Sequence, residues 1–415
     1  MGMSEWANYS IADMGLVVTG STPSTKAKRF WDGEVPFYSP ADFDGSILCT
    51  KTEKTVTEEA LSFCRPIPVN AIMFTCIASV GKIAISSKCG VTNQQINSII
   101  PFPDAFDYRF IYYILSYHRS IFENYAPQTT IPIINKGDFQ KFSFIVPKDI
   151  NEQRKIADIL STVDDVIEKT EAAIDKYQAI KAGMMQDLFT RGIDTQTGKM
   201  RPTFEEAPEL YKKSELGWIP KGWNATEFKD ACLEFINGGT PSTKNASNWV
   251  GNIPWITGAD FLESFEVGFI RRHINEDALR YSSSHLIREG NILLVTRTGV
   301  GKLAIAPFDV AISQDITGII LDPNQCCVEF FYYYLQVLVE DFKKMNQGTS
   351  INGIIRSDLE ATLILKPSLV EQKQIAAVLK ALDDNLKSEQ SNLSKYRDLK
   401  KGLMADLLTG KVRIK

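Results

Sequence analysis

The 415-residue chain carries 46 lysines and arginines against 50 aspartates and glutamates, a net charge of −4, with 44% hydrophobic and 23% charged residues. That balance describes a globular chain of two or more domains and excludes the disordered and low-complexity classes. It also excludes the strongly basic character with which a protein alone would grip nucleic acid by phosphate neutralisation.

The N-terminal MGMSEWANYS has no basic stretch leading into an apolar run, and no window approaches the ~20 uninterrupted apolar residues of a bilayer span, so a cytoplasmic protein without membrane contact is expected. The first distinctive element is GSTPSTKAKRFWDGEVPFYSPADF, residues 20–43, which opens as a hydroxyl-rich loop led by Gly20. Behind it AIMFTCIA (71–78) has the short apolar run of a strand, Gly81 marks a turn, and FIYYILSY (110–117) reads as an aromatic helix, giving residues 1–148 a mixed α and β character.

Residues 149–192 read as one long helix. Pro147 precedes it, Asp149 and Glu152 have capping-box spacing, and Gly192 can end it. With Ile156 as heptad position a, the a and d positions are Ile156, Leu160, Val163, Ile167, Thr170, Ile174, Tyr177, Lys181, Met184 and Leu188. A narrow apolar stripe sustained for five heptads is a coiled-coil seam, on a helix of ~40 residues or roughly 60 Å. Residues 193–216, with Pro202 and Pro208, read as an irregular linker.

The chain then repeats itself. Thr22, Trp31, Pro36, Asp42 and Gln94 are answered by Thr240, Trp249, Pro254, Asp260 and Gln314, and VGKIAI (80–85) by VGKLAI (300–305). Residues 217–367 are therefore a second mixed domain, with NILLVTR (291–297) as a strand and FFYYYLQVL (330–338) as its aromatic helix. Residues 368–415 are a second long helix, with Ser368 and Glu371 at its start and Gly410 near its end. Its seam reads Ile375, Leu379, Leu382, Leu386, Glu389, Leu393, Tyr396, Lys400, Leu403 and Leu407. Helix one leads away from the first domain and helix two starts at the second, so an antiparallel pair returns the C-terminus towards the first domain. The expected fold is α+β: two tandem mixed α/β domains joined by two long helices in an antiparallel coiled coil, a pseudo-twofold dumbbell.

No catalytic constellation emerges. A phosphate loop at SVGKIA fails, because Cys76 and Thr296 stand where it needs glycine and Ile83 and Leu303 where it needs Ser or Thr. Three histidines (His118, His273, His285) without ligand spacing give no zinc site, G-x-S-x-G is absent, and so is the Asn-Pro-Pro-aromatic run of a base-amino methyltransferase. The seven cysteines (Cys49, Cys64, Cys76, Cys89, Cys232, Cys326, Cys327) form no C-x-x-C pair and read as reduced core residues. Binding is the remaining class, with a protein-binding scaffold or an enzyme with an unfamiliar site as rivals.

The order and duplication of these stretches resemble the specificity subunit of type I restriction-modification systems. The matching stretches are LGWIPKGW (216–223) and GGTPST (238–243) in the second half, and VPKDINEQRKIADIL (146–160) and KPSLVEQKQIAAVL (366–379), where each domain passes into its helix. The first half departs by opening SEWANYSIADMG without a Pro-x-Gly-Trp run, which puts its first strand in question. The resemblance implies a non-catalytic subunit whose two target-recognition domains each read part of a split, asymmetric sequence in double-stranded DNA. It further implies that the subunit docks two methyltransferase subunits, with restriction-translocase subunits joining for cleavage. S-adenosylmethionine, ATP and magnesium would belong to those partners, which would also supply much of the phosphate grip that the net charge lacks.

Candidate DNA contacts follow. Thr22, Ser24, Thr25 and Lys26, with Thr240, Ser242, Thr243 and Lys244, suit phosphate, or else stabilise their own turns. Lys28 and Arg29 face Ala246 and Ser247 in the repeat and are peculiar to the first half. Arg297 and Lys302, with Lys82 matching the latter, are exposed-turn candidates, and Arg271, Arg272 and His273 are second-half candidates. Gln94 and Gln314 either read adenine edges or are structural glutamines buried in strands. Trp31, Trp249 and the Tyr112-Tyr113 and Tyr332-Tyr333 pairs read as core. Asp164-Asp165 and Asp383-Asp384 are assigned to the outer faces of the helices, as solvated surface or docking site. The loops KAKRF and KNASN, and PQTTIPI and NQGTSIN, differ in polar groups, so the two halves are expected to read different sequences.

Overall fold

The computed structural model describes residues 5–126, 131–262, 266–346 and 353–414; residues 127–130 of PQTTIPI and 347–352 of NQGTSIN lie outside them. The chain divides into two compact units, Met1–Ala172 with Gln390–Lys415, and Ala173–Glu389. Each unit therefore holds one globular half and a part of both long helices.

In the first unit Trp6–Ser10 pairs antiparallel with Ser143–Pro147, so this half does open on a strand despite its unusual sequence. A five-stranded sheet follows in the order Gly15–Thr19, Ile96–Pro101, Ile72–Thr75, Ile83–Ser86, Leu48–Cys49. A four-stranded sheet runs Lys54–Val56, Trp31–Tyr38, Gly90–Thr92, Pro66–Ile67. The apolar strands are buried on both faces, which is why they read as short continuous runs rather than alternating patterns. The helix Tyr108–Tyr117 starts at Asp107, whose carboxylate accepts from the amides of Arg109 and Phe110, and packs six consecutive residues into the core.

The second unit repeats the plan. Asn224–Glu227 pairs with Leu363–Lys366. One sheet runs Cys232–Asn237, Ile316–Leu321, Ile292–Val295, Leu303–Ile305, and the other Arg272–Ile274, Ile253–Ile256, Val310–Ile312, His285–Ile287. The hairpin of Tyr211–Ser214 and Gly217–Pro220 is an addition to the plan, and it straddles the expected linker boundary at 216–217.

The long helices span Ile150–Thr190 and Leu369–Leu407. Every expected a and d position is buried or half-buried. The stripe also does a second task at its ends: Ile156 and Leu160 join Leu407 and Leu408 in the core of the first unit, while Leu188 and Phe189 join Ile375 and Leu379 in that of the second. The pairing is antiparallel within the first unit, where Asp164 meets Lys400 at 2.5 Å and the later Glu171 meets the earlier Arg397 at 2.6 Å.

Three expectations are corrected here. Asp164 and Asp383 are not outer-face residues. Asp164 accepts from the hydroxyl of Tyr113 at 2.7 Å and pairs with Lys400; Asp383 accepts from Tyr333 at 2.8 Å and pairs with Lys181 at 2.6 Å. The two seam lysines, which look like interruptions of an apolar stripe, are thus half-buried clasps between helix pair and domain. Burial and the adjacent carboxylate both push the hydroxyls of Tyr113 and Tyr333 upward, so each stays a proton donor. Second, the capping-box glutamates turn away from their helix starts. Asp149 and Ser368 accept from Asn151 and Glu371 amides as caps should, but Glu152 accepts from the indole of Trp6 and Glu371 from Arg201 and the Ile193 amide. Third, Cys89 is exposed, although Cys49, Cys76, Cys326 and Cys327 are buried as expected. The glutamine beside each glutamate has a task of its own: Gln153 and Gln372 are fully buried and staple the helix start to main-chain groups of their domain, at Asp107 and Pro147 and at Cys327 and Pro367.

Candidate functional site

In each unit two of the chain's passages between the two sheets lie side by side. Residues 20–30 leave the strand Gly15–Thr19 for Trp31–Tyr38, while residues 93–95 return from Gly90–Thr92 to Ile96–Pro101. Gly20 and Ser21 amides donate to Ile96 and Thr92 carbonyls at 3.0 and 2.8 Å, and Gly238 and Gly239 amides to Ile316 and Ile312 carbonyls at 3.2 and 3.0 Å. A Cβ on Gly20 would collide with the Asn93 carbonyl, and one on Gly238 with that of Ile312, which explains the leading glycine of both loops. Gly20→Ala is expected to lower stability by roughly 2 kcal/mol. Urea denaturation checks this, and the exposed Gly222→Ala, where a Cβ meets nothing and the backbone is not left-handed, is the control that isolates the collision.

The passages are joined by side chains. Thr22 donates to the Gln94 amide oxygen at 2.6 Å, and Thr240 donates to that of Gln314. Both glutamines stand exposed in turns, not buried in strands as one of the sequence alternatives had them. Carbonyls of the next residues, Gln95 and Asp315, accept from Cys76 and Thr296 at 2.7 and 2.8 Å, and the Cys76 and Thr296 carbonyls accept from Ile134 and Ile354. A further segment lies against the loop base: Arg65 donates to the Thr19 carbonyl at 3.0 Å, and the His285 ring bonds the carbonyl of the matching Asn237 at 2.8 Å through Nδ1. Because a carbonyl only accepts, Nδ1 carries the proton and Nε2 is left for another partner.

Ser24, Thr25, Lys26, Ser242, Thr243 and Lys244 are exposed on the loops, as are Lys28 and Arg297. Lys26, Lys28, Lys244 and Arg297 make no ion pair among the described residues. The Trp31 and Trp249 indoles donate to the Ser24 and Ser242 carbonyls at 3.2 and 3.4 Å, so each tryptophan braces its loop from below. Other candidates are differently employed. Arg29 pairs with Glu59 at 3.2 Å. Lys82 and Lys302 are half-buried and donate to the Pro40 and Phe261 carbonyls, both at 3.2 Å, rather than projecting from exposed turns. Arg271 meets the buried Asp260 at 2.5 Å; burial pushes that carboxyl up, and hydrogen bonds from Arg271 and Thr257 outweigh it, holding the carboxyl low. Arg272 lies over the rings of Trp249 and Trp255, and His273 is exposed. Arg65, His285, Gln95 and Asp315 were not signalled by the sequence, since they fall at positions where the repeat differs. Among the described residues no group of three His, Cys, Asp or Glu is placed to hold a metal ion, and no helix is long and apolar enough to cross a membrane.

A family model described as the type I restriction modification DNA specificity domain matches residues 3–176 and again 220–395. Over 422 residues the chain is 24% identical to the type I restriction enzyme MjaIX specificity subunit of Methanocaldococcus jannaschii, covering 99% of this chain and 94% of that one. Over 147 residues it is 31% identical to the type I restriction enzyme HindI specificity subunit of Haemophilus influenzae, 34% of this chain and 32% of that protein. Its fold is similar to the crystal structure of the type-I restriction-modification system S subunit from M. genitalium, with a TM-score of 0.63 at 16% identity, over 98% of this chain and 96% of that one.

Proposed function

The chain belongs to the type I restriction-modification DNA specificity family, and we propose that each of its two halves reads one part of a bipartite double-stranded DNA target through the face built from the two inter-sheet passages that lie side by side. The observation that carries this reading is the duplicated face itself: a glycine-led hydroxyl loop locked by threonine to a glutamine turn, with an unpaired lysine at its edge, present once per unit. The exposed hydroxyls of Ser24, Thr25, Ser242 and Thr243 and one lysine per loop suit the positioning contacts to phosphate, while side chains of the turns suit base edges.

In this reading the protein is non-catalytic and acts in the cytoplasm, and its helices dock two methyltransferase subunits, with restriction-translocase subunits joining for cleavage. S-adenosylmethionine, ATP and magnesium serve those partners. With a net charge of −4 the chain alone holds DNA weakly, so specific retention in a gel-shift assay is expected only with the methyltransferase subunits added. Methylation mapping with that complex should return an asymmetric bipartite motif. A motif with identical inverted halves would refute two different readers, and a complex that neither retains nor methylates any sequence would favour the scaffold alternative.

A further inference from the structure

Resting on the DNA-reading assignment above, we propose that the difference between the two half-sites is carried by two structurally equivalent pairs, Gln95 with Asp315 and Arg65 with His285. The scaffold at these places is the same in both units while the side-chain chemistry is not. Gln95 and Asp315 each give a carbonyl to the neighbouring hairpin, at Cys76 and Thr296, and each receives on its amide a side-chain oxygen two residues back, from Asn93 and Ser313. Arg65 and His285 each immediately precede or open the edge strand of the second sheet, and each bonds the last carbonyl of the strand that leads into the hydroxyl loop. The linked pairs Thr22–Gln94 and Thr240–Gln314 are identical in the two units, so they suit a contact that both half-sites share and carry no difference between them.

The chemistry at the differing positions is specific. Gln95 offers amide donors and an oxygen that accepts from the Asn93 side chain at 2.9 Å and keeps a second lone pair, the pattern that matches adenine, whereas the Asp315 carboxylate only accepts and matches the amino group of cytosine. A carboxylate on a phosphate-facing surface is repelled unless a base donor meets it, which favours a base edge over the backbone as its partner. Arg65, tied to a carbonyl through Nη1, keeps its remaining donors for guanine or phosphate, while His285 presents Nε2.

The test is methylation of a plasmid library with randomised half-sites by the full complex, using wild type, Gln95→Asp, Arg65→His, Asp315→Gln, the near-isosteric Asp315→Asn and His285→Arg. Each variant should change the preference at one base pair by roughly tenfold or more, in its own half-site alone. Asp315→Asn, which keeps the shape of the turn, should relax the same pair that Asp315→Gln alters. Wild-type motifs retained by all five variants would overturn the inference while leaving the DNA-reading assignment intact. A uniform loss of methylation across all sequences by a variant whose melting curve is unchanged would also overturn it. Failure of the wild-type complex to methylate any sequence would bring down the assignment and the inference together.

Discussion

Glu371→Ala is expected to destabilise the unit Ala173–Glu389 by about 3 kcal/mol, several times the effect of Glu152→Ala on the other unit. The two glutamates are equivalent in the repeat and both are almost fully buried, but their partners differ. Glu371 accepts from the Ile193 amide at 3.0 Å and from both terminal nitrogens of Arg201, whose side chain is only 18% exposed. Gly192, at φ +62°, lets the chain turn there, and a Cβ on it would strike the Glu371 carboxylate. Removing the carboxylate leaves a mostly buried guanidinium with only the Arg191 carbonyl, at 3.0 Å, and a buried amide without its acceptor, and a buried charge stripped of its counter-charge is the costly outcome. Glu152 accepts from Trp6 at 3.2 Å and has Arg413 at 3.8 Å, with that arginine 48% exposed and able to return to water, so about 1 kcal/mol is at stake. Replacing Glu371 and Arg201 together by methionine should recover much of the loss, because no charge is then stranded. Urea titration with hydrogen exchange over residues 192–201 reads both outcomes. Equal shifts for the two alanine variants would refute the account.

Sequence periodicity made the long helices legible because a and d spacing states directly which side chains must leave water, and all twenty positions did so. The repeat likewise announced two domains of one plan, and the strand orders of the sheets follow it apart from Leu48–Cys49, an edge strand of the first unit without a counterpart in the second. What it left hidden is the use of polar side chains whose partners are remote along the chain. Asp164 looks like half of a solvated acidic pair until Tyr113 and Lys400 are brought to it from opposite directions. Glu152 and Glu371 have capping spacing, and only the positions of Trp6 and of Arg201 show that a stronger donor takes the carboxylate. Gln94 and Gln314 sit among apolar residues and read as strand, but the chain there is crossing from one sheet to the other, and a crossing must put its tip in water. Arg65 and His285 also reach the loop base, which no local motif encodes because the edge strands that follow Arg65 and begin at His285 are only two and three residues long.

A fragment ending near residue 195 is expected to form a twofold dimer that, with its methyltransferase partner, methylates an inverted repeat of the first half-site. In the first unit the core is closed by Leu407 and Leu408 and clasped by Lys400 on Asp164 and Tyr113, all from the segment that the fragment lacks. Leu188, Phe189 and Lys181 occupy the same places in the first helix, and in the second unit Lys181 meets Asp383 and Tyr333 as Lys400 meets Asp164 and Tyr113. Two antiparallel copies can therefore give each other the missing leucine, the missing clasp and an aromatic in place of Leu408, an isologous contact that closes on itself. Thr170, buried near the middle of that seam with its hydroxyl bonded to the Val166 carbonyl, adds no charge there. A fragment of residues 217–415 would instead bring Glu389 of each copy near the centre, and like charges should weaken its pairing. Phe189 is larger than the Leu408 it replaces, so Phe189→Leu should tighten the N-terminal dimer by relieving an overpacked site. Lys181→Asp should split it by setting acid against Asp164 in both copies, and adding Asp164→Lys should restore it with the charges exchanged. Sedimentation at micromolar concentration distinguishes these states. A monomeric fragment, or one that still methylates the original asymmetric target, would refute the pairing.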